Sequence, residues 1–478
     1  MKINVVNRTQ ELFPQTVDLD AFHSMLEDIS IYNPFLGPVR NVFIVGESSL
    51  GLSVYTGVAE HSKIQKFLKR MIKGFIPTSG KAQSLSDVFF STMGEAIERI
   101  LPFYSAFQLQ NEGKITYATV KDMLRKGENI LGPDKLHLFA KEQYSSKDFL
   151  FKQYDEKSLI GWIEGKNLLT NEKIYVPAQI MVFGYGLTQK ETPIGYPSSA
   201  GLTCHVSSKH AFFHGLCEFA ERDAINVHWV CNFPPKHIIV DKPDQLPESV
   251  AKAYETMPYL RNPYIDTRIY DWSVDIPEIF ALSIHSINTS YNTFKYLPGM
   301  GADISYADAF DKALREVAQA ERNYLVLPIY IKIFEGLPPW MNVSPDAKAQ
   351  EIDNLFKAIV LYGYDQNLKK LEEWYGRSKR VNLSEMNLKR PAEDIDSKYD
   401  YLLDVFRKNN MTPLAFDLTP KEFKNLKLHK VFVPELTSYF LVYPLFGHPR
   451  YREVGQRLGE IDHLLTFDDL NKAPVPFP

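Results

Sequence analysis

One helix constrains this chain more than anything else in it. Residues Ala211–Trp229 read AFFHGLCEFAERDAINVHW, an apolar run that carries Glu218, Glu221 and Arg222 as ExxER. Helical spacing puts the two carboxylates on one face. Phe212, Leu216, Phe219 and Ile225 make an apolar surface that would bury the helix. Carboxylates on a buried helix repel one another and titrate upward unless a cation compensates them. The pattern recurs: Phe89–Arg99 and Phe212–Arg222 both read FFxxxxExxER, and Ala313–Gln319 is a weaker third copy with Glu316 and Gln319 as ExxQ. A lone ExxER is ordinarily a solvated face with an i,i+4 ion pair. Two copies with matching phenylalanine pairs, and a partial third, point instead to carboxylates converging from separate helices on a divalent cation. Mg2+ takes hard oxygen ligands, few of them from protein and the rest from phosphate and water.

At 478 residues the chain is long enough for one large domain or two to three ordinary ones. Its 45% hydrophobic and 23% charged content are those of a soluble globular protein. The net charge of −4 gives no general electrostatic case for nucleic acid or an anionic membrane. Cys204, Cys217 and Cys231 are odd in number and lack CxxC spacing, which argues against a disulfide framework and a structural zinc and for a reducing, cytoplasmic compartment. The N-terminus shows no secretory apolar core, and no stretch reaches the roughly 18 apolar residues of a membrane span.

Read in order, residues 1–60 form a lead-in packed on a main domain over 61–478, with strands predicted at Asn41–Val45 and Leu52–Thr56. Residues 61–76 are basic and apolar, a predicted helix. Thr78–Lys81 reads as a turn ahead of the first acidic helix, about Leu85–Leu101. Strands are predicted at Ile160–Trp162, Lys173–Val176 and Gln179–Gly184 before the central helix. After it they are predicted at Ile238–Val240, Thr267–Tyr270, Ile279–His285, Leu414–Asp417 and His429–Val433. Pro298–Gly301 reads as a turn before the third acidic helix, Ala307–Leu325, and residues 340–400 as a helix-rich, charged region. The end, Ala473–Pro478, is proline at every second position and can be neither helix nor inner strand.

These elements, in this order, resemble the YcaO-domain family, specifically its ATP-dependent cyclodehydratases that install azoline rings in ribosomally made peptides. The resemblance runs from about Gly80 to Pro478. Ser79-Gly80-Lys81 followed by Ser91, Glu95, Glu98 and Arg99 is similar to the family's first nucleotide element. GLxExxERD at 215–223 is similar to the second and ALxExxQ at 313–319 to the third. Trp162–Gly165 with Tyr175–Ala178, VPEL at 433–436 and the PxPxP terminus are similar to further parts. The resemblance implies an α/β (α+β) fold of mixed sheets with flanking helices around a nucleotide site unrelated to the P-loop; no GxxxxGK[ST] occurs here. It implies that a Cys, Ser or Thr of the substrate attacks the preceding amide carbonyl, that ATP phosphorylates the resulting oxygen, and that loss of phosphate leaves the azoline.

Carried over by position, Lys81 and Ser91 would contact phosphate or adenosine, with Thr203 supplying a hydroxyl. Glu95, Glu98, Glu218, Glu221 and Glu316 would hold Mg2+ directly or through water. Arg222 would bind phosphate and Gln319 orient it. Lys312 stands where the family often has an arginine, and the carboxylate of Pro478 would fold back toward the substrate. The resemblance further implies a precursor peptide as substrate and a homodimer. With no leader-binding module evident before residue 60, it also implies a separate partner protein that presents the peptide. The loop at 199–211 departs from the family: Val206 replaces an asparagine, and His210 replaces a glutamate expected to serve the metal. A nucleotide-deficient homologue that holds or scaffolds a peptide is therefore the alternative reading, and thioamide formation a third that the PxPxP tail opposes. His210, His214 and Glu218 also form an i, i+4, i+8 stripe that could suit a transition metal, though packed histidines account for it as well.

Overall fold

The computed structural model describes residues 39–45, 55–61, 78–82, 84–248, 251, 266–287, 295–333, 341–352, 354–388, 391–438 and 443–477. Apart from His61, the helix predicted over 61–76 lies outside these residues, as does Pro478. The described strands form three sheets. The first is an antiparallel ribbon of β1 (Val39–Val45), β2 (Tyr55–His61) and β3 (Ser79–Ala82). The second is antiparallel, with order β4-β5-β13-β14-β7 and β6 paired to β5. Its strands are β4 (Thr116–Thr119), β5 (Leu159–Asn167), β6 (Lys173–Pro177), β7 (Leu202–His205), β13 (Leu414–Asp417) and β14 (Lys427–Phe432). The third has order β11-β10-β9-β8-β12, from β8 (Lys236–Ile239), β9 (Asp266–Asp271), β10 (Phe280–Ile287), β11 (Tyr296–Asp303) and β12 (Arg380–Asn382); only the β8–β12 pair is parallel.

Three long helices join the sheets. Helix α1 (Leu85–Asn111) lies on the first sheet and touches β7. Helix α2 (Ser208–Val230) packs between β14 and β7 on one side and β11 on the other. Helix α3 (Tyr306–Ile333) covers β10 and β11 and reaches β3. In α2, Leu216, Phe219 and Ile225 are fully buried. At roughly 1.5–3 kcal/mol each, these side chains hold the helix in place against the cost of burying its carboxylates.

Helix α1 starts at the predicted place, where the Ser84 hydroxyl accepts from the Asp87 N–H at 3.1 Å. It continues ten residues beyond the predicted end at Leu101, through Pro102. Ser105 supports that stretch, its buried hydroxyl contacting the carbonyls of Leu101 (3.0 Å) and Leu418 (2.6 Å). Three local predictions are corrected. Ser79–Lys81 belongs to a strand rather than a turn. A Cβ on Gly80 would sit 2.2 Å from the Thr92 backbone nitrogen, so the glycine lets β3 lie directly on α1. Pro298–Gly301 is the middle of β11, and a Cβ on Gly299 or Gly301 would fall 2.3 Å from backbone atoms of α3. These glycines supply space, not a reversal. The strand predicted at Gln179–Gly184 is instead a buried helical turn, Ala178–Met181. There the Gln179 side chain donates to Thr192 O (3.0 Å) and accepts from the Ile194 N–H (2.9 Å).

Candidate functional site

Because β3, α1, β7, α2, β11 and α3 meet, their side chains enclose one cleft of about 310 Å³. All five carboxylates expected to serve a metal line it: Glu95 and Glu98 from α1, Glu218 and Glu221 from α2, and Glu316 from α3. Lys81, Thr203, Arg222 and Lys312 line it too. Each cation is held by an acid. Lys81 Nζ donates to Glu316 Oε2 at 2.8 Å, bridging the first sheet to α3. Arg222 Nε lies 3.6 Å from Glu221 and 3.9 Å from Glu218. Lys312 Nζ donates to Asp303 Oδ2 and to the Ala302 carbonyl, both at 2.8 Å.

Two expected residues stand behind the lining rather than in it. The Ser91 hydroxyl accepts from the Lys81 backbone N–H at 3.3 Å, and Gln319 Nε2 donates to Gly80 O at 3.4 Å. Both brace β3, which carries Lys81. Thr203 donates its hydroxyl to Ala211 O at 3.0 Å. Pro478 lies outside the described residues, but the tail before it is packed. Trp229 Nε1 donates to Ala473 O at 2.9 Å, Tyr362 donates to Pro474 O, and the buried Phe477 ring lies edge-on to Trp272. Phe477 belongs to the same apolar cluster as Met300, which lines the cleft.

Arg99 and Ser199, to which motif reasoning gave no role, also line it, as does His214 of the histidine stripe. Arg99, whose Nε donates to Glu95 at 2.9 Å, was visible as the last letter of the first ExxER. Asp303, which holds Lys312, had no sequence signal, since the pairing depends on β11 lying under α3. The two departing positions stand outside the lining. The Val206 side chain is 41% exposed, and His210 stacks on His205 with ring centroids 4.4 Å apart.

Electrostatics of the cleft is that of anions short of cation. Burial, then Glu95 and Glu218, pushes Glu98 well above the usual carboxylate range although it accepts from the Cys204 N–H at 2.7 Å. Burial raises Glu218, against Arg222, Arg99 and Lys430. Glu221 is pushed up to about 7 by burial, with Glu316 and Glu218 adding to it. Burial alone would pull the Lys312 ammonium down, but Asp303, Cys217 and Glu221 together outweigh it and the group is raised. Burial, reinforced by Lys312, holds His214 well below the ordinary histidine range and so neutral.

Among the described residues no three His, Cys, Asp or Glu groups are gathered as a ready-made metal cage, neither the histidine stripe nor the glutamates. Carboxylates spread along the cleft and facing ion-paired cations would instead suit a hydrated Mg2+ shared with phosphate. A divalent ion would favour the ionised forms of Glu98, Glu218 and Glu221, and Lys81, Arg99, Arg222 and Lys312 would suit a polyphosphate.

The profile described as "YcaO cyclodehydratase, ATP- and Mg2+-binding" matches residues 79–437. The chain belongs to the YcaO family. A comparison with curated proteins finds no match. Among solved structures, the YcaO chain is similar to a heterocyclase in complex with substrate and cofactor (TM-score 0.70, 19% identity, 95% of this chain and 57% of that one). It is similar to the YcaO protein of Methanopyrus kandleri bound with AMPPCP and Mg2+ (TM-score 0.56, 16% identity, 88% and 90%). It is also similar to a chain of the E. coli microcin synthetase McbBCD complex with pro-MccB17 bound (TM-score 0.57, 15% identity, 93% and 98%). The chain spans little more than half the length of the first of these and half that of the heterocyclase TruD.

Proposed function

We propose that this YcaO chain is an ATP-dependent peptide cyclodehydratase subunit that converts Cys, Ser or Thr residues of a ribosomal precursor peptide into thiazoline or oxazoline rings. The observation that carries the reading is the convergence of five glutamates and four cations from β3 and three helices on one cleft. ATP with Mg2+, when bound, supplies the phosphoryl group that turns an amide oxygen, a very poor leaving group, into phosphate. The chain's own part is positioning and charge. Glu95, Glu98, Glu218, Glu221 and Glu316 hold the cation directly or through water. Lys81 and Arg222 neutralise phosphate oxygens, with Ser91 and Gln319 fixing the strand that aims Lys81. Lys312, locked to Asp303, lends positive potential without needing to move. The tail is packed as far as Phe477 by Trp229, Tyr362 and Trp272.

By likeness to the microcin synthetase complex we assign the substrate to a precursor peptide and a separate protein to its presentation; the family resemblance implies a homodimer. Among the described residues no helix is long and apolar enough to cross a membrane. The test is reconstitution of the purified chain with its partner and precursor peptide, read by mass spectrometry and phosphate release. Loss of one water per ring, with one phosphate released for each, is expected. Peptide binding without ATP consumption would favour the nucleotide-deficient scaffold instead.

A further inference from the structure

Lys430, on β14, is a lysine with almost no access to solvent; 1% of its surface is exposed. Its Nζ donates to the carbonyls of Ser198, at 2.7 Å, and Ala200. Lys430 is paired in register with Leu202, so the ammonium reaches back across the turn that leads into β7. That turn is tight: the Leu202 N–H donates to Ser199 O at 2.9 Å, and Gly201 has φ +73. The Val431 N–H donates to Gly201 O at 2.8 Å. A Cβ on Gly201 would lie 2.6 Å from Val431 O, so the turn is pressed against β14.

The turn is part of the cleft. Ser199, between the two carbonyls that Lys430 holds, lines it, as do Leu202 and Thr203. The Gly201 N–H donates to Glu218 Oε2 at 3.2 Å, while Oε1 is the oxygen nearest Arg222. The carboxylate is thereby oriented: one oxygen is fixed by the turn and the other is left toward the cleft. No carboxylate lies within ion-pair distance of Lys430 among the described residues. Burial pulls the Lys430 amine down to about 7, with Glu218 opposing the shift from beyond contact distance. A buried amine held by two carbonyls is unfavourable for folding, and an apolar residue would cost the core less.

We propose that Lys430 is a positioning residue for the Mg-nucleotide site, acting through the Ser198–Gly201 turn to set the orientation of Glu218. It touches neither nucleotide nor metal. The assignment rests on the reading of the cleft given above.

The test uses the full-length chain, with Lys430→Met and the donor-retaining Lys430→Arg. Hydrogen exchange of the Ser199–Leu202 amides is followed without ligand, and ADP binding is measured by calorimetry with and without Mg2+. In Lys430→Met those amides should exchange faster, and Mg-ADP affinity should fall about tenfold or more, as for residues that orient metal ligands. Binding of ADP without Mg2+ should change little, and Lys430→Arg should recover part of the loss. Unchanged exchange, unchanged Mg-ADP affinity, or an equal loss with and without Mg2+ would each overturn the assignment and leave the nucleotide reading intact. A wild-type chain that binds no Mg-ADP would overturn the nucleotide reading itself and the assignment with it.

Discussion

Glu221 shows at one residue what the cleft demands. It is a carboxylate with 6% of its surface exposed, facing Glu218 and Glu316, and its pKa of about 7 stands above the ordinary 4.5. At pH values between these, the unfolded chain is ionised at this position while the folded chain keeps a proton. Ionising Glu221 therefore costs the nucleotide-free fold on the order of 3 kcal/mol above neutrality, a cost relieved as pH falls toward the unfolded value. Glu221→Gln should accordingly be the more stable protein near pH 8, with the gap closing near pH 5. Melting of the two proteins without nucleotide at both pH values checks this, and a gap that did not change with pH would contradict it. At this scale the acids were legible, because ExxER repeats in an apolar context are unusual. Their neighbours were not. Asp303 beside Lys312, and Arg450 forked onto Asp223 at 2.7–2.9 Å, pair residues that only the tertiary fold brings together.

Elements were read best where pattern and length agreed. The three acidic helices and strand Leu414–Asp417 fall where periodicity places them, the helices running longer than predicted, α1 through Pro102. Two of the three misreadings share one cause. Glycine signals a turn when it supplies a left-handed backbone, but in β3 and β11 it supplies room for a helix, and composition does not distinguish the two. β11 is the clearer case, since Gly299 and Gly301 project toward α3, which carries Glu316 and Gln319. Gly299→Ala should force the helix off the strand, at a cost of about 1–3 kcal/mol for overpacking. It should weaken Mg-nucleotide binding along with stability, because the Lys81–Glu316 contact depends on the same seating. A melting temperature and nucleotide affinity both equal to those of the wild-type chain would show that α3 is not held by that contact.

Across the whole molecule, the site exists only because three sheets share three helices. Strand β1 pairs with β2, and β2 with β3, the strand that carries Lys81. The last residues return to Trp229 and Tyr362, on helices far apart in the sequence. That closure was legible only as a resemblance; no local pattern specifies which sheet a strand joins. The measurement that tests the central claim most directly is calorimetric titration of the full chain with ATP, with and without Mg2+, beside Glu218→Gln. Saturable binding that requires Mg2+ and is lost in Glu218→Gln is the predicted result. Absence of binding at millimolar ATP in either condition, or binding that Glu218→Gln leaves unchanged, would contradict it.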